Sequence, residues 1–333
     1  MIQALIDYCL FLAKTATLLI GIALTLIVLV RARRGARLDG DRLEVVDINT
    51  RYRDMARHLK RASMPKKAFL KLLKSDKKEE KQKEKEKGTE ELKGRIFVID
   101  FHGDIKATEV GGLRELITSL LMEMTDRDRV LVRLENAGGM VTEHGLAASQ
   151  LMRLRARGVP LTVAVDKVAA SGGYLMAVVA DRIIAAPFAV VGSIGVVAQL
   201  PNFHRLLEKS GVDYELHTAG EYKRTLTLFG ENSEAGREKL RQQLEDTHVL
   251  FKDFIREHRP DLDLAKVATG EYWHGRQALE LGLVDEIKTS DDYLMEAADE
   301  AGIYQVRYEA HKRPVERLLS SVSDGLLRLL GGR

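Results

Sequence analysis

The chain holds a single cysteine, Cys9, among 333 residues. It can therefore form no intramolecular disulfide and no cysteine-based metal site. Charge of one sign is also scarce in bulk. With 52 Lys and Arg against 49 Asp and Glu, the net charge is +3, too small to argue for a nucleic-acid partner. No His-Glu-x-x-His or other paired ligand spacing occurs, so no metal is expected. The G-x-S-x-G elbow of the α/β-hydrolases is missing, as is any internal repeat, and nothing points to a cofactor.

What the chain does have in quantity is apolar residues, 45% of the total, enough to bury a sizeable core. The densest stretch lies at the N-terminus. Residues 4–30 carry charges only at Asp7 and Lys14. Residues 15–30 are uninterrupted, and adding 10–13 gives about the 20 needed to cross roughly 30 Å of hydrocarbon. Lys14 would then snorkel to one interface. No basic segment precedes this run and no small-residue cleavage site follows it, so an uncleaved anchor is expected rather than a signal peptide. "RARRGAR" follows instead. By the positive-inside rule these arginines place everything after Arg31 in the cytoplasm.

The expected organisation is an anchor with its basic flank over 1–37, a charged tether over 38–93, a catalytic domain over 94–300 and an amphipathic tail over 301–333. Residues 74–93 are almost purely charged and contain no apolar residue before Leu92; such a stretch joins no core. Residues 51–73 show weak helical periodicity with many basic residues, suited to a spacer near a membrane surface.

From Gly94 the texture is that of an α/β domain. "RIFVIDF" (95–101), "RVLVRLE" (129–135), "PLTVAV" (160–165) and "DRIIAAP" (181–187) read as buried strands. Helical patterns occupy 111–124, 142–157 and 172–180. Strand–helix alternation implies parallel pairing with right-handed crossovers. A long amphipathic helix is expected over 233–260, N-capped by Ser233 and stopped at Pro260. Residues 275–287 read as a helix ended at Gly282 and then a short strand. Residues 174–200 are apolar, but Asp181, Arg182 and Pro187 interrupt them and Gly192 and Gly195 punctuate them, so buried strands and a short helix fit better than a second membrane span.

"VAASGGYLMA" places Ser171 ahead of two glycines in an apolar run. A nucleophilic serine needs a base within hydrogen-bond reach and donors for the developing oxyanion. Of the nine histidines, most fall in charged or amphipathic stretches and none in a recognisably buried, glycine-punctuated setting. His102 and His144, at strand-end and loop positions, are the best of the set and remain weak candidates. A lysine can replace histidine if burial or neighbouring cations keep it neutral. Lys223, in "AGEYKRTLTLFG", follows a strand-like "VDYELHTAG" and precedes an apolar run; without further context it reads as a surface loop lysine.

Three motifs in order, "AASGGYLMA", "PFAVVGSIGVV" and "AGEYKRTLT", resemble the S49 family of Ser–Lys serine peptidases, the signal peptide peptidase A type. The likeness runs over residues 95–287, about 60% of the chain, and is most marked toward the SohB branch of inner-membrane proteases. It implies a ClpP/crotonase-like α/β fold. It also implies that Ser171 is the nucleophile, that Lys223, 52 residues later, is the general base, and that Ser193 in "VGSIG" holds the lysine. Gly138 or Gly139, with Gly172, would donate backbone N–H groups to the oxyanion. Where the family reads N-S-P-G-G, this chain has Glu135, Asn136, Ala137, Gly138 and Gly139; without proline the loop is less pre-set in φ.

The residues agree with those roles. Gly172 and Gly173 place no side chain beside the serine and allow a peptide to approach, and a helix starting there would turn its positive end toward the reacting carbonyl. The expected partners are peptide or protein substrates, a membrane through the N-terminal helix, and further copies of the same chain, since S49 enzymes form rings or domes. The resemblance also sets relatives that work on the outer side of the membrane against the charge rule. Two competing functions are a crotonase-like acyl-CoA enzyme, which would leave Lys223 idle, and a catalytically silent membrane scaffold.

Overall fold

In the computed structural model the described residues are 10, 14–19, 21, 42–86, 94–220 and 222–309. The chain divides into one unit of residues 1–44 and 308–333 and a second of residues 45–307. Of the first, residues 10, 14–19 and 21 are helical. The apolar segment expected as an anchor lies largely outside the described residues, as does the basic flank; among those described, no helix is long and apolar enough to cross a membrane.

The apolar runs predict β2 (Arg95–Gly103), β3 (Arg129–Asn136), β4 (Leu161–Val165) and β6 (Arg182–Ala185). The other strands are β1 (Arg42–Asp47), β5 (Val168–Ala170), β7 (Val190–Gly192), β8 (Tyr272–His274), β9 (Glu286–Ile287) and β10 (Gly302–Glu309). The main path of the sheet runs β1-β10-β2-β3-β4-β6-β9. From β10 to β9 every neighbour pairs in parallel. Residues 96–99 are buried in succession, as are 130–132, because a parallel sheet is covered on both faces and its strands need no polar alternation. Ile96, Val98, Leu131, Ala164, Ile184 and Ile303 join in one core cluster.

The helices are α1 (Ile48–Ser63), α2 (Lys66–Glu86), α3 (Val110–Glu123), α4 (Val141–Ala156), α5 (Gly172–Ala177), α6 (His204–Lys209), α7 (Glu234–His258), α8 (Leu264–Val267), α9 (Gly275–Glu280) and α10 (Ser290–Ala297); α2 and α6 bury no residue among those described. Ser233 caps α7, its Oγ accepting from the Gly236 N–H at 3.1 Å, and that helix ends at His258, two residues short of Pro260. Gly282, at φ +78°, follows α9 in the conformation glycine adopts after helices. Residues 174–200 form β6, β7 and the short α5, with no span.

Polar ties fix the strand starts and edges. The Asp128 carboxylate accepts from the Arg95 backbone N–H at 3.1 Å, its guanidinium at 2.6 Å and the Thr125 N–H at 2.7 Å. Burial opposes that charge, yet these donors hold the carboxyl down at about 2. Asp100 on β2 accepts from Arg133 on β3 at 2.6 Å and from Gln305 on β10 at 2.5 Å.

Several elements depart from the sequence reading. β1 falls inside the stretch expected as tether and β10 inside the stretch expected as tail, yet both belong to the sheet. Asn49, on the helix that follows β1, ties this stretch to the far end of the chain. Its side chain donates to the Ala298 carbonyl at 2.7 Å and accepts from the Ile303 N–H at 2.7 Å, 254 residues away, a contact no local pattern announces. The expected helix over 172–180 stops at Ala177. The strand-like "VDYELHTAG" forms no strand; residues 212–220 are irregular and exposed, because its apolar residues find no sheet edge to pair with.

Candidate active site

The C-terminal ends of β3 and β5 meet where Asn136 registers with Ala169. Ligand-binding crevices in parallel α/β sheets form at such ends. One residue beyond β5 stands Ser171, at φ +51° and ψ −118°. A serine rarely occupies this region, which costs of order 1–3 kcal/mol. Its backbone N–H donates to the Gly192 carbonyl at 2.8 Å, and the packed turn around it holds the conformation.

β5 and β7 run parallel with Ala170 opposite Gly192, so the next residues, Ser171 and Ser193, leave adjacent strands at the same level. Ser193 shares the φ of +51° and donates its N–H to the Glu271 carbonyl at 2.6 Å. The antiparallel strand β8, pairing β7, supplies that neighbourhood. Two serines with the same uncommon positive φ thus follow adjacent strands at the sheet's end.

The loop after β3 closes over this turn. A Cβ on Gly138, at φ +91°, would come within 2.7 Å of the Ser171 Cβ and 2.9 Å of the Gly172 nitrogen, so only glycine fits. The Gly138 N–H is spent, donating to the Asn136 Oδ1 at 2.7 Å. Gly139 has no such acceptor among the described residues, nor does Gly172 at the start of α5. Both glycines line, with Ser171, a cavity of about 320 Å³. Its far wall is the face of α7 carrying Thr247, Leu250, Phe251 and Phe254, and Leu175 and Val196 add to an apolar lining.

His144 also lines this cavity, and here the sequence reading is corrected. It is not a loop residue. It sits on the inner face of α4 with no exposed surface, four positions before Ala148 and seven before Leu151, at the helical spacing of a core stripe. Its Nδ1 lies 2.9 Å from the Met140 carbonyl oxygen and its Nε2 3.1 Å from the Asn136 Oδ1. Both nitrogens point at these oxygens, and among the described residues no hydrogen bond joins the ring to Ser171. His102 is exposed on β2 and faces Glu135 at 3.8 Å, away from any such role.

Lys223 stands apart. It lies in an irregular, exposed stretch, its N–H donating to the Gly220 carbonyl at 3.1 Å, and among the described residues no hydrogen bond joins it to Ser171 or Ser193. The structure therefore gathers Ser171, Ser193, Gly138, Gly139 and Gly172 and leaves Lys223 outside. Asn136 is the site residue that the sequence reading passed over, and His144, weighed there as a weak candidate base, holds the Asn136 amide instead. An asparagine two residues before a glycine, in "NAG", is the local signal of a side-chain-capped turn that could have flagged the first.

Two family models decide the kinship: the description "Peptidase family S49 N-terminal" matches residues 3–151 and "Peptidase family S49" residues 153–304. The chain belongs to peptidase family S49. A probable protease SohB of Haemophilus influenzae is 44% identical over 335 residues, covering 98% of this chain and 95% of its own. A second probable protease SohB, of Buchnera aphidicola, is 53% identical over 238 residues, covering 72% and 71%. A solved structure of a membrane-bound stomatin-specific protease aligns at 12% identity with a TM-score of 0.42, over 62% of this chain and 85% of that one. This S49 chain is a peptidase by kinship; a likeness at that last level adds nothing on individual residues.

Proposed function

We propose that the protein is a membrane-anchored serine endopeptidase of ClpP-like α/β fold, with Ser171 as nucleophile and Lys223 as general base. The observation that carries this reading is the strained Ser171 held beside two unspent backbone N–H groups at the rim of an apolar cavity. Ser171 Oγ attacks a peptide carbonyl, and the developing oxyanion is met by the N–H groups of Gly139 and Gly172. The proton passes to the lysine and then to the leaving amine, and water releases the acyl-enzyme. The apolar wall of α7 suits extended segments with small or hydrophobic side chains, such as signal-peptide remnants or membrane-protein fragments.

A lysine serves as a base only once desolvated, and Lys223 is exposed. The reading therefore requires the stretch around Lys223 to be covered in the working enzyme, by folding onto the Ser171 cavity or by a second copy of the chain. Its exposed Leu200, Phe203, Leu206, Tyr214 and Phe229 form the kind of apolar surface that assembly buries. Ser193, adjacent to Ser171, would then orient the amine. The anchor over residues 4–30 and a cytoplasmic catalytic domain follow from the sequence arguments above.

The test is casein or signal-peptide cleavage, with fluorophosphonate labelling, in wild type, Ser171→Ala and Lys223→Ala. Proteolysis that survives in either variant overturns the dyad. An acyl-CoA enzyme would show thioester or hydratase turnover instead, and a scaffold would take no label.

A further inference from the structure

We infer that Asn136 and His144 are a positioning pair that sets the oxyanion loop, a role the loop's missing proline leaves open. The inference rests on the reading of Ser171 as nucleophile. Asn136 is 1% exposed and His144 is fully buried, and buried polar groups of this kind are kept where each finds partners. The Asn136 Oδ1 accepts from the Gly138 N–H at 2.7 Å, closing a turn over Ala137. That bond fixes which end of the amide is oxygen, because the amide's NH2 would confront the Gly138 N–H. The His144 Nε2, 3.1 Å away, must therefore be the donor to the same oxygen. The amide Nδ2 points instead toward the Met176 sulfur at 3.5 Å.

The histidine spans the loop. Through its Nε2–H it holds Asn136, the last residue of β3, while its Nδ1 lies 2.9 Å from the carbonyl oxygen of Met140, the residue before α4. Met140 is pinned from the other side, its N–H donating to the Ile105 carbonyl at 2.8 Å. Between these fixed points lie Ala137, Gly138 and Gly139.

The pair also packs directly on the nucleophile's turn. A Cβ on Gly172 would strike the His144 ring at 2.5 Å, and one on Gly173 would strike the Asn136 carbonyl oxygen at 2.2 Å. The consequence is a choice of donor. Because Asn136 consumes the Gly138 N–H, the loop presents the Gly139 N–H to the cavity beside that of Gly172. Asn136 and His144 act on the reaction through the loop and not on the reacting atoms.

The experiment measures kcat and KM for peptide cleavage by the full chain, with circular dichroism to confirm folding, in His144→Leu, His144→Gln, Asn136→Ser and Asn136→Asp. Losing an oxyanion donor costs about 10²–10³ in kcat; a loop that wanders loses part of that. His144→Leu should lower kcat roughly 10–100-fold with KM within about threefold. His144→Gln and Asn136→Asp, which keep the donor and the acceptor, should recover most of the loss. Equal kcat in folded His144→Leu and His144→Gln overturns the proposal. Asn136→Ser against Asn136→Asp supplies the same comparison if His144→Leu does not fold. Full activity in His144→Leu alongside an inactive Ser171→Ala sinks the positioning pair alone, whereas an active Ser171→Ala sinks the nucleophile reading first.

Discussion

The turn from Asn136 to Gly173 and the stretch from Val197 to Asn232 both carry residues proposed for the same reaction, and they are built in opposite ways. The first holds Ser171 in an uncommon backbone state at the end of a parallel strand, with Asn136, His144, Ala170, Gly172 and Gly173 buried around it while the loop residues Ala137, Gly139 and Met140 are exposed. The second is irregular apart from α6 and largely exposed. Strain of 1–3 kcal/mol at a nucleophile persists only where surrounding packing over-determines it, so the serine is set during folding. A base on an exposed segment must gain its environment afterwards. Activity and stability should therefore part company: changes in the clamped region should touch both, and changes in the exposed stretch should touch activity or assembly alone.

The largest effects expected are catalytic. Ser171→Ala and Lys223→Ala should each lower peptide cleavage by at least about 10³-fold, the scale of losing a nucleophile or its base. For Lys223→Ala the unfolding midpoint should change little, since an exposed lysine contributes within about 0.5 kcal/mol. A Lys223→Ala variant that unfolds early would break the comparison by showing this stretch to be part of the core framework.

Gly138→Ala should follow, because its Cβ would press on Ser171 and Gly172 and its φ of +91° disfavours any side chain. Both cleavage rate and thermal midpoint should fall, the rate by about 10²-fold or more if the loop's N–H is displaced. Loss of rate with an unchanged midpoint would mean the loop is less tightly clamped than its contacts imply.

Core truncation gives the stability scale. Leu151→Ala, fully buried on α4, should cost about 2–5 kcal/mol in urea unfolding. Phe203→Ala, exposed at 42%, should cost the isolated chain little and show its effect in sedimentation instead. A large cost for Phe203→Ala in a monomeric sample would erase the distinction between the two regions.

Two smaller effects test the framework alone. The Asp128 carboxyl is held at about 2 when folded, below the ordinary value near 4. Its contribution is therefore present above about pH 4 and fades as pH falls toward 2, amounting to ~2 kcal/mol by linkage. Asp128→Asn should flatten the acid limb of the stability profile, read by urea midpoints between pH 2 and 5, and an unchanged limb would dismiss that anchor. Tyr174→Phe strips the buried Leu283 carbonyl of its 2.9 Å donor and should cost about 1–3 kcal/mol without altering cleavage specificity.

How much of this could be read beforehand varies by element for physical reasons. β2, β3, β4 and β6 were legible because a continuous apolar run needs only its own residues to announce a buried strand. Strands β5, β7 and β8, three residues each, carry too few positions for any periodicity, and β1 and β10 depend on partners at the other end of the chain. Ser171 and the glycines were legible as motifs. His144 was legible as a weak candidate base and not as a buried group, because its neighbours in sequence, Glu143 and Gly145, look solvated, while its neighbours in space are Asn136 and Gly172.

The sequence by itself determined the α/β class, the serine–glycine turn, the S49 kinship and the charge asymmetry after residue 30, since each rests on composition or on order along the chain. Only the tertiary structure decided which glycine N–H is already spent, that Ser171 and Ser193 stand in register on neighbouring strands, that a buried histidine braces the loop, and that Lys223 remains outside the cavity in the single chain. Those facts depend on distances between residues far apart in sequence. Hydrogen bonds and close packing specify such distances only once the sheet has brought the strand ends together.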